Sequence, residues 1–259
     1  MKDLIAGPGY LLEGFSLLRR PGLRRYVLVP LLVNIVLFGG LIWWAYSWVE
    51  GTSEYLTGKL PDWLQWLRYV VVPVFVLTSL VVIFYGFSII ANLIAAPFNG
   101  LLAEAVECHL TGKTLPGDWR QVLRDILPSI YSELRKLLYF LLRALPLLLM
   151  MLIPLFNIAA SVLWLLFGAW MMTVQYVDYP MANHQLFFKD QRARLRKRPL
   201  LAWGFGGLVM LCTMIPVINF FVMPAAVAGA TLIWVRENQL EPGSRSSTRQ
   251  AHHQDQAGT

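Results

Sequence analysis

The stretch ALPLLLMMLIPLFNIAASVLWLLFGAWMMTVQYV, residues 144–177, contains no Asp, Glu, Lys or Arg, and Ile153-Pro154-Leu155-Phe156-Asn157 stands in its middle. Proline removes a backbone donor and bends or ends a helix, while asparagine tolerates turn geometry. This one apolar run therefore reads as two helices joined by a turn. The pattern returns in the charge-free run 199–235, interrupted by Ile215-Pro216-Val217-Ile218-Asn219. Both read as helical hairpins, over 137–177 and 199–236. Their arms, about 24 to 30 Å long at ~1.5 Å per residue, are borderline for a hydrocarbon core of about 30 Å.

Two further charge-free runs, 26–49 and 69–103, lie upstream. With 57% hydrophobic and 14% charged residues among 259, the chain is far more apolar than a soluble domain, in which about 45–50% of residues are apolar. The composition predicts an all-α integral membrane protein with a single helical membrane domain over 1–236. Residues 24–49 form a first long transmembrane helix, leaving through the aromatic belt of Trp43, Trp44, Tyr46 and Trp48. Residues 69–103 form a second, long enough to tilt, to extend beyond the bilayer, or to break near Pro97-Phe98-Asn99-Gly100. Residues 1–20 read as an interfacial amphipathic helix. Residues 104–136 read as a cytoplasmic helical segment, because Trp119, Val122, Leu123, Ile126, Leu127, Ile130 and Leu134 recur at spacings of three and four. Residues 237–259, rich in Ser, Gln, Gly and charge, read as a disordered tail. The positive-inside rule places the N-terminus and the basic linker 189–198 inside and the loop 50–68 outside. No cleavable signal is expected, since the first apolar run lacks a small-residue cleavage site. Six full spans and two full spans with two partly inserted hairpins both satisfy these constraints.

The net charge of +7 is concentrated beside apolar runs, in Arg19, Arg20, Arg24, Arg25 and residues 189–198, which suits membrane flanks better than nucleic acid. Cys108 and Cys212 have no metal or disulfide spacing. Thr111-Gly112-Lys113-Thr114 fails as a nucleotide-binding loop, because Glu107 stands where its first glycine is required. No catalytic pattern, cofactor fingerprint or metal-ligand set is present in the sequence, so no enzyme is expected. Arg143 is the one ionisable residue inside a hairpin arm, either snorkelling to the interface or functional. The densest chemistry is Arg19-Arg20-Pro21-Gly22-Leu23-Arg24-Arg25, immediately before the first long helix. A helix start offers free N–H groups, glycine permits close backbone approach, and guanidinium groups donate in forks to oxyanions. Such a donor-only site suits sulfate better than hydrogen phosphate, which also needs an acceptor. The alternative is that these arginines only set topology.

Several ordered motifs carry a resemblance: Pro21-Gly22-Leu23-Arg24-Arg25, Val29-Pro30-Leu31-Leu32-Val33-Asn34-Ile35, Pro61-Asp62-Trp63-Leu64-Gln65-Trp66-Leu67, residues 90–104, Gln175-Tyr176-Val177-Asp178-Tyr179-Pro180, Asn183-His184 and Thr213-Met214-Ile215-Pro216. Over them the chain closely resembles the CysZ family of sulfate permeases, up to about residue 235. The resemblance implies sulfate uptake across a bacterial inner membrane for assimilatory sulfate reduction and cysteine biosynthesis, by a multi-pass protein with two long spans and two partly inserted hairpins. It implies sulfate binding at Gly22, Leu23, Arg24 and Arg25, and a homo-oligomer, a dimer or higher, with subunits in opposed orientations in the lipid bilayer. Glu104, Arg124, Arg135 and Asp178 are the matched residues that could form a pathway or charge network.

Overall fold

The computed structural model describes residues 2–58, 68–112 and 119–240. Within those helices the side chains of residues 45, 49–58, 68, 71–72, 88–97, 119–127 and 238–240 lie outside the description. The Pro61-to-Leu67 motif, Lys113, Thr114 and the tail from 241 onward also lie outside the described residues. Eight helices follow in order: α1 (Lys2–Leu17), α2 (Arg25–Gly58), α3 (Arg68–Thr111), α4 (Trp119–Met151), α5 (Asn157–Ala182), α6 (Phe188–Leu195), α7 (Pro199–Thr213) and α8 (Pro216–Leu240). Among the described residues the chain is entirely helical and turn, as its apolar periodicity predicts.

Contacts divide the chain into two compact units, Arg25–Phe98 and the remainder. In the unit 25–98, α2 has 34 residues and α3 has 44 over its whole length. At ~1.5 Å per residue these are about 51 and 66 Å, well beyond a 30 Å core. α2 continues through residues 50–58, which the sequence reads as loop, and α3 runs through Pro97, so of the three alternatives left open for 69–103 the break is the one absent. Phe38 on α2 meets Phe87 on α3 at a centroid distance of 4.9 Å, and Trp48 meets Phe75 at 5.6 Å. Most other described apolar side chains of this unit point outward, Val36 71% exposed and Trp43 73%. Arg25–Trp48 is long and apolar enough to cross a membrane, as are Asn157–Ala182 and Pro216–Glu237 in the other unit.

In the larger unit both interruptions read from the sequence are present. α4 ends at Met151 and α5 begins at Asn157; α7 ends at Thr213 and α8 begins at Pro216. The first turn closes through the Phe156 N–H on the Ile153 carbonyl, 3.0 Å. At the second, Pro216 opens α8, where a missing N–H costs nothing. Helix α4 is continuous from the amphipathic segment into the first hairpin arm, so the boundary expected at 136 is not a break in the backbone. Over 132–145 Ser132, Lys136 and Ala144 are buried, while Leu134, Leu137, Leu138, Leu141, Leu142 and Leu145 are exposed, as are Glu133, Arg135 and Arg143. Leucines so exposed are favourable where the surroundings are hydrocarbon rather than water.

The core is built from α1, α5, α7 and α8, and α1 packs against α7 and α8. Close approach is set by small residues. A Cβ added at Gly14 would lie 2.8 Å from the Gly229 nitrogen and against the Ala225 carbonyl. The Ala225 and Gly229 pair, four apart on α8, therefore forms the groove that receives α1. Ionic contacts close the rim. Arg198 donates to Asp3 and Glu237, Arg236 forks onto Glu13 at 2.6 and 2.8 Å, and Tyr10 donates to Glu237 at 3.1 Å. The Arg198 hydrogen bond holds the Asp3 carboxyl below its ordinary value, against a small opposing effect of burial. Glu237, read as the first residue of a tail, is thus helical and paired.

Candidate functional site

The motif at 19–24 is a string of turns leaving α1. The Arg20 N–H reaches the Leu17 carbonyl at 3.0 Å and the Leu23 N–H the Arg20 carbonyl at 3.3 Å. Gly22 has φ +93, a backbone region that L side chains rarely enter, and nothing lies within 4 Å of an added Cβ. The glycine is demanded by backbone sign and not by space. Leu23 is buried and anchors the turn. Arg24 donates through Nε to the Arg19 carbonyl at 2.7 Å. Arg25 opens α2 and lies over the Tyr26 ring, Cζ 4.9 Å from the centroid, with Nη2 3.0 Å from the Tyr26 hydroxyl. Both guanidinium groups are exposed, and among the described residues neither is paired with a carboxylate. Their donor capacity is therefore left for an outside oxyanion.

One turn of α3 ties this motif to the rest of the larger unit. Arg20 Nη1 lies 2.8 Å from His109 Nε2; a guanidinium only donates, so this imidazole nitrogen accepts. Two residues earlier, Glu107, buried, is 2.8 and 2.9 Å from His184 Nε2 at the end of α5. Asn183 donates to the Gly100 carbonyl at 3.1 Å, and Asn99 to the Tyr179 hydroxyl at 3.3 Å. The His184 ring stands 5.0 Å from that of Trp234. Glu107, in direct contact with the His184 imidazole, thus stands on the same turn of α3 as His109, which meets Arg20.

A second polar cluster joins α4, α5 and α6. Lys136 Nζ lies 2.8 Å from Asp178 and 2.7 Å from Glu133. The fully buried Gln191 donates to the other Asp178 oxygen and, at 3.0 Å, to the Leu186 carbonyl. Ser132 accepts from the Phe188 N–H at 3.0 Å. Burial pushes the Lys136 ammonium down, but the Asp178 charge and the bonds to Asp178 and Glu133 outweigh it and hold it above the usual lysine value.

Of the four residues named for a charge network, three have described side chains, and among these Asp178 alone joins one, with Lys136 and Gln191 as partners. Glu104 is half-buried on α3 and among the described residues bonds to neither Arg135 nor Asp178. Arg135 is exposed, its Cζ 4.7 Å over the Tyr131 ring. Arg124 lies outside the described side chains. Sequence reasoning missed the Glu107–His184 pair and Lys136. The signals were an acid at the end of a span for Glu107, and for Lys136 a position one turn beyond Ser132 on a helix whose apolar stripe lies elsewhere. Among the described residues no group of three metal-ligating side chains converges.

Residues 10–224 match the family described as Sulfate transporter CysZ/Etoposide-induced protein 2.4. A protein of Pseudomonas paraeruginosa named Sulfate transporter CysZ is 48% identical over 235 residues, 90% of this chain and 96% of that protein. Proteins of the same name from Pseudomonas fluorescens and Salmonella typhimurium are each 47% identical, over 240 and 232 residues. They cover 92% and 89% of this chain, and 96% and 92% of their own lengths. With residues 10–224 matched by the family and relatives 47–48% identical over about nine tenths of its length, this chain belongs to the Sulfate transporter CysZ/Etoposide-induced protein 2.4 family.

Proposed function

We propose that this chain carries sulfate across a bacterial inner membrane as a multi-pass, non-enzymatic permease feeding sulfate reduction and cysteine biosynthesis, and that Gly22, Leu23, Arg24 and Arg25 hold the ion. The observation that carries the proposal is the pair of exposed, carboxylate-free guanidinium groups following a positive-φ glycine. The names of the relatives agree with it. Two guanidinium charges balance a dianion, and a donor-only set accepts sulfate, which has no proton to give. Leu23 serves as the buried anchor that fixes the turn. Subunits assemble as a homo-oligomer in opposed orientations.

Passage is passive, channel-like or facilitated. A dianion entering against about −100 mV meets roughly 4.6 kcal/mol, two charges at about 2.3 each, so reductive consumption inside must sustain the gradient. Radiolabelled sulfate uptake into liposomes holding only the purified chain tests this. Flux in the wild type is expected. Replacing Arg24 and Arg25 together by alanine is expected to weaken sulfate binding well over tenfold, because each charge-assisted donor contributes roughly 1.5–3 kcal/mol. Absence of flux from the pure chain would leave a scaffold role, and unchanged affinity in the double variant would exclude this site. Proton-coupled symport is a second reading, favoured by the acid–imidazole contact of Glu107 and His184. Uptake that follows an imposed pH gradient would select it.

A further inference from the structure

A cavity of about 680 Å³ opens in the larger unit between α4, α5 and the start of α7. Its walls are mostly apolar, with Leu142, Leu147, Leu163, Leu166 and Phe167 among them, yet two arginines, Arg143 and Arg196, also line it, and no acidic residue does. The Arg143 guanidinium is stationed 4.8 Å over the Tyr139 ring, itself a lining residue. Arg196 is exposed, and among the described residues neither arginine has a carboxylate partner. Trp170, 8% exposed, also lines the cavity, and its indole Nε1 is buried without a hydrogen-bond partner. Outside the mouth the helix surfaces are apolar: Leu145 and Leu149 on α4 and Val162 and Leu165 on α5 are exposed.

We infer that this cavity is a binding site for an anionic phospholipid, whose phosphate is held by Arg143 and Arg196 and whose acyl chain fills the apolar walls. Two guanidinium groups at an apolar recess leave their forked donors for an anion, and the chain supplies no carboxylate there. A free inorganic oxyanion meets the charge but leaves the leucine and phenylalanine walls unoccupied; a lipid meets both, and basic pockets between membrane helices bind such headgroups. The site is separate from the Gly22-to-Arg25 turn and does not depend on sulfate being the cargo.

The test is native mass spectrometry of the full chain in detergent, incubated with phosphatidylglycerol, with phosphatidylcholine of the same chains, and with inorganic sulfate as competitor. Retention of phosphatidylglycerol above phosphatidylcholine is expected. It should fall well over tenfold in Arg143→Gln/Arg196→Gln, which removes two charge-assisted contacts. Leu166→Trp, which fills the cavity and keeps both arginines, should lose it too. All three changes fall on exposed side chains, so the fold is not engaged. Equal retention of the two lipids, wild-type retention in either variant, or displacement by sulfate alone would overturn the inference.

Discussion

Replacing Asp178 by asparagine removes the anion that holds Lys136 inside the bundle. The Lys136 side chain is 6% exposed and that of Asp178 20%, with 2.8 Å between their charged atoms. Removing one partner of a buried pair costs about 3–5 kcal/mol. Glu133 remains on Lys136, but its side chain is 59% exposed, and an exposed pair contributes only about 0.2–1 kcal/mol. The expected loss for Asp178→Asn is therefore near the lower end of that range, about 3 kcal/mol. Lys136→Met leaves Asp178 with the Gln191 donor and some water, so its cost is smaller, about 2 kcal/mol. Lys136→Met/Asp178→Leu removes both charges and should come within about 1 kcal/mol of the wild type, because an apolar pair in a buried site replaces an ionic one at little loss. Thermal unfolding followed by circular dichroism in one detergent reads these values, at about 2–4 °C per kcal/mol for a chain of this size. Single variants that melt with the wild type, or a double variant that merely adds the two losses, would refute the role given to the pair.

Gly14→Val should push α1 away from α8 and lower stability by about 1–3 kcal/mol, the usual cost of overpacking, because its obstacle is backbone; melting and protease resistance of the N-terminal helix check it. Gly22→Ala meets no steric neighbour but must hold a positive φ, a strain of about 1–2 kcal/mol; calorimetric titration should show weaker sulfate binding with little change in fold. The Asp3–Arg198 contact predicts an acid transition. A carboxyl held low in the folded state contributes stability above the ordinary aspartate value of 3.8, and that contribution is lost as pH falls through the lowered value. Pepsin cleavage within α1 should rise over that window in the wild type, while Asp3→Asn is cut at both ends of it; matching profiles would count against the contact.

Charge-free runs and the two Ile-Pro-x-x-Asn turns were readable because hydrophobic length and proline geometry act locally along the chain. Gly22 reads from the sequence as permitting close backbone approach, whereas the structure requires it for its positive φ. What escaped were pairings between distant segments. Glu107 and His184 stand 77 positions apart, and nothing in either neighbourhood specifies the other. Lys136 was hidden differently: its helix keeps Glu133, Arg135 and Arg143 exposed, and among the described residues Lys136 is the charge it turns in. Residues 50–58 looked like a loop because their polar composition ends the apolar run, yet a helix leaving a bilayer continues into water without penalty.

The first helix of this fold packs chiefly on segments far along the chain. Its partners are α7 and α8, and the fork between Glu13 and Arg236 bridges 223 positions. During vectorial synthesis the ribosome releases α1 long before the groove of Ala225 and Gly229 exists, so its glycine face must wait, at the bilayer surface or on a chaperone, until almost the whole chain has emerged. Contacts of such sequence separation are slow to close. Maturation of the larger unit is thus set by arrival of its last helix, and a nascent chain arrested before α8 would keep its N-terminal segment open to proteolysis.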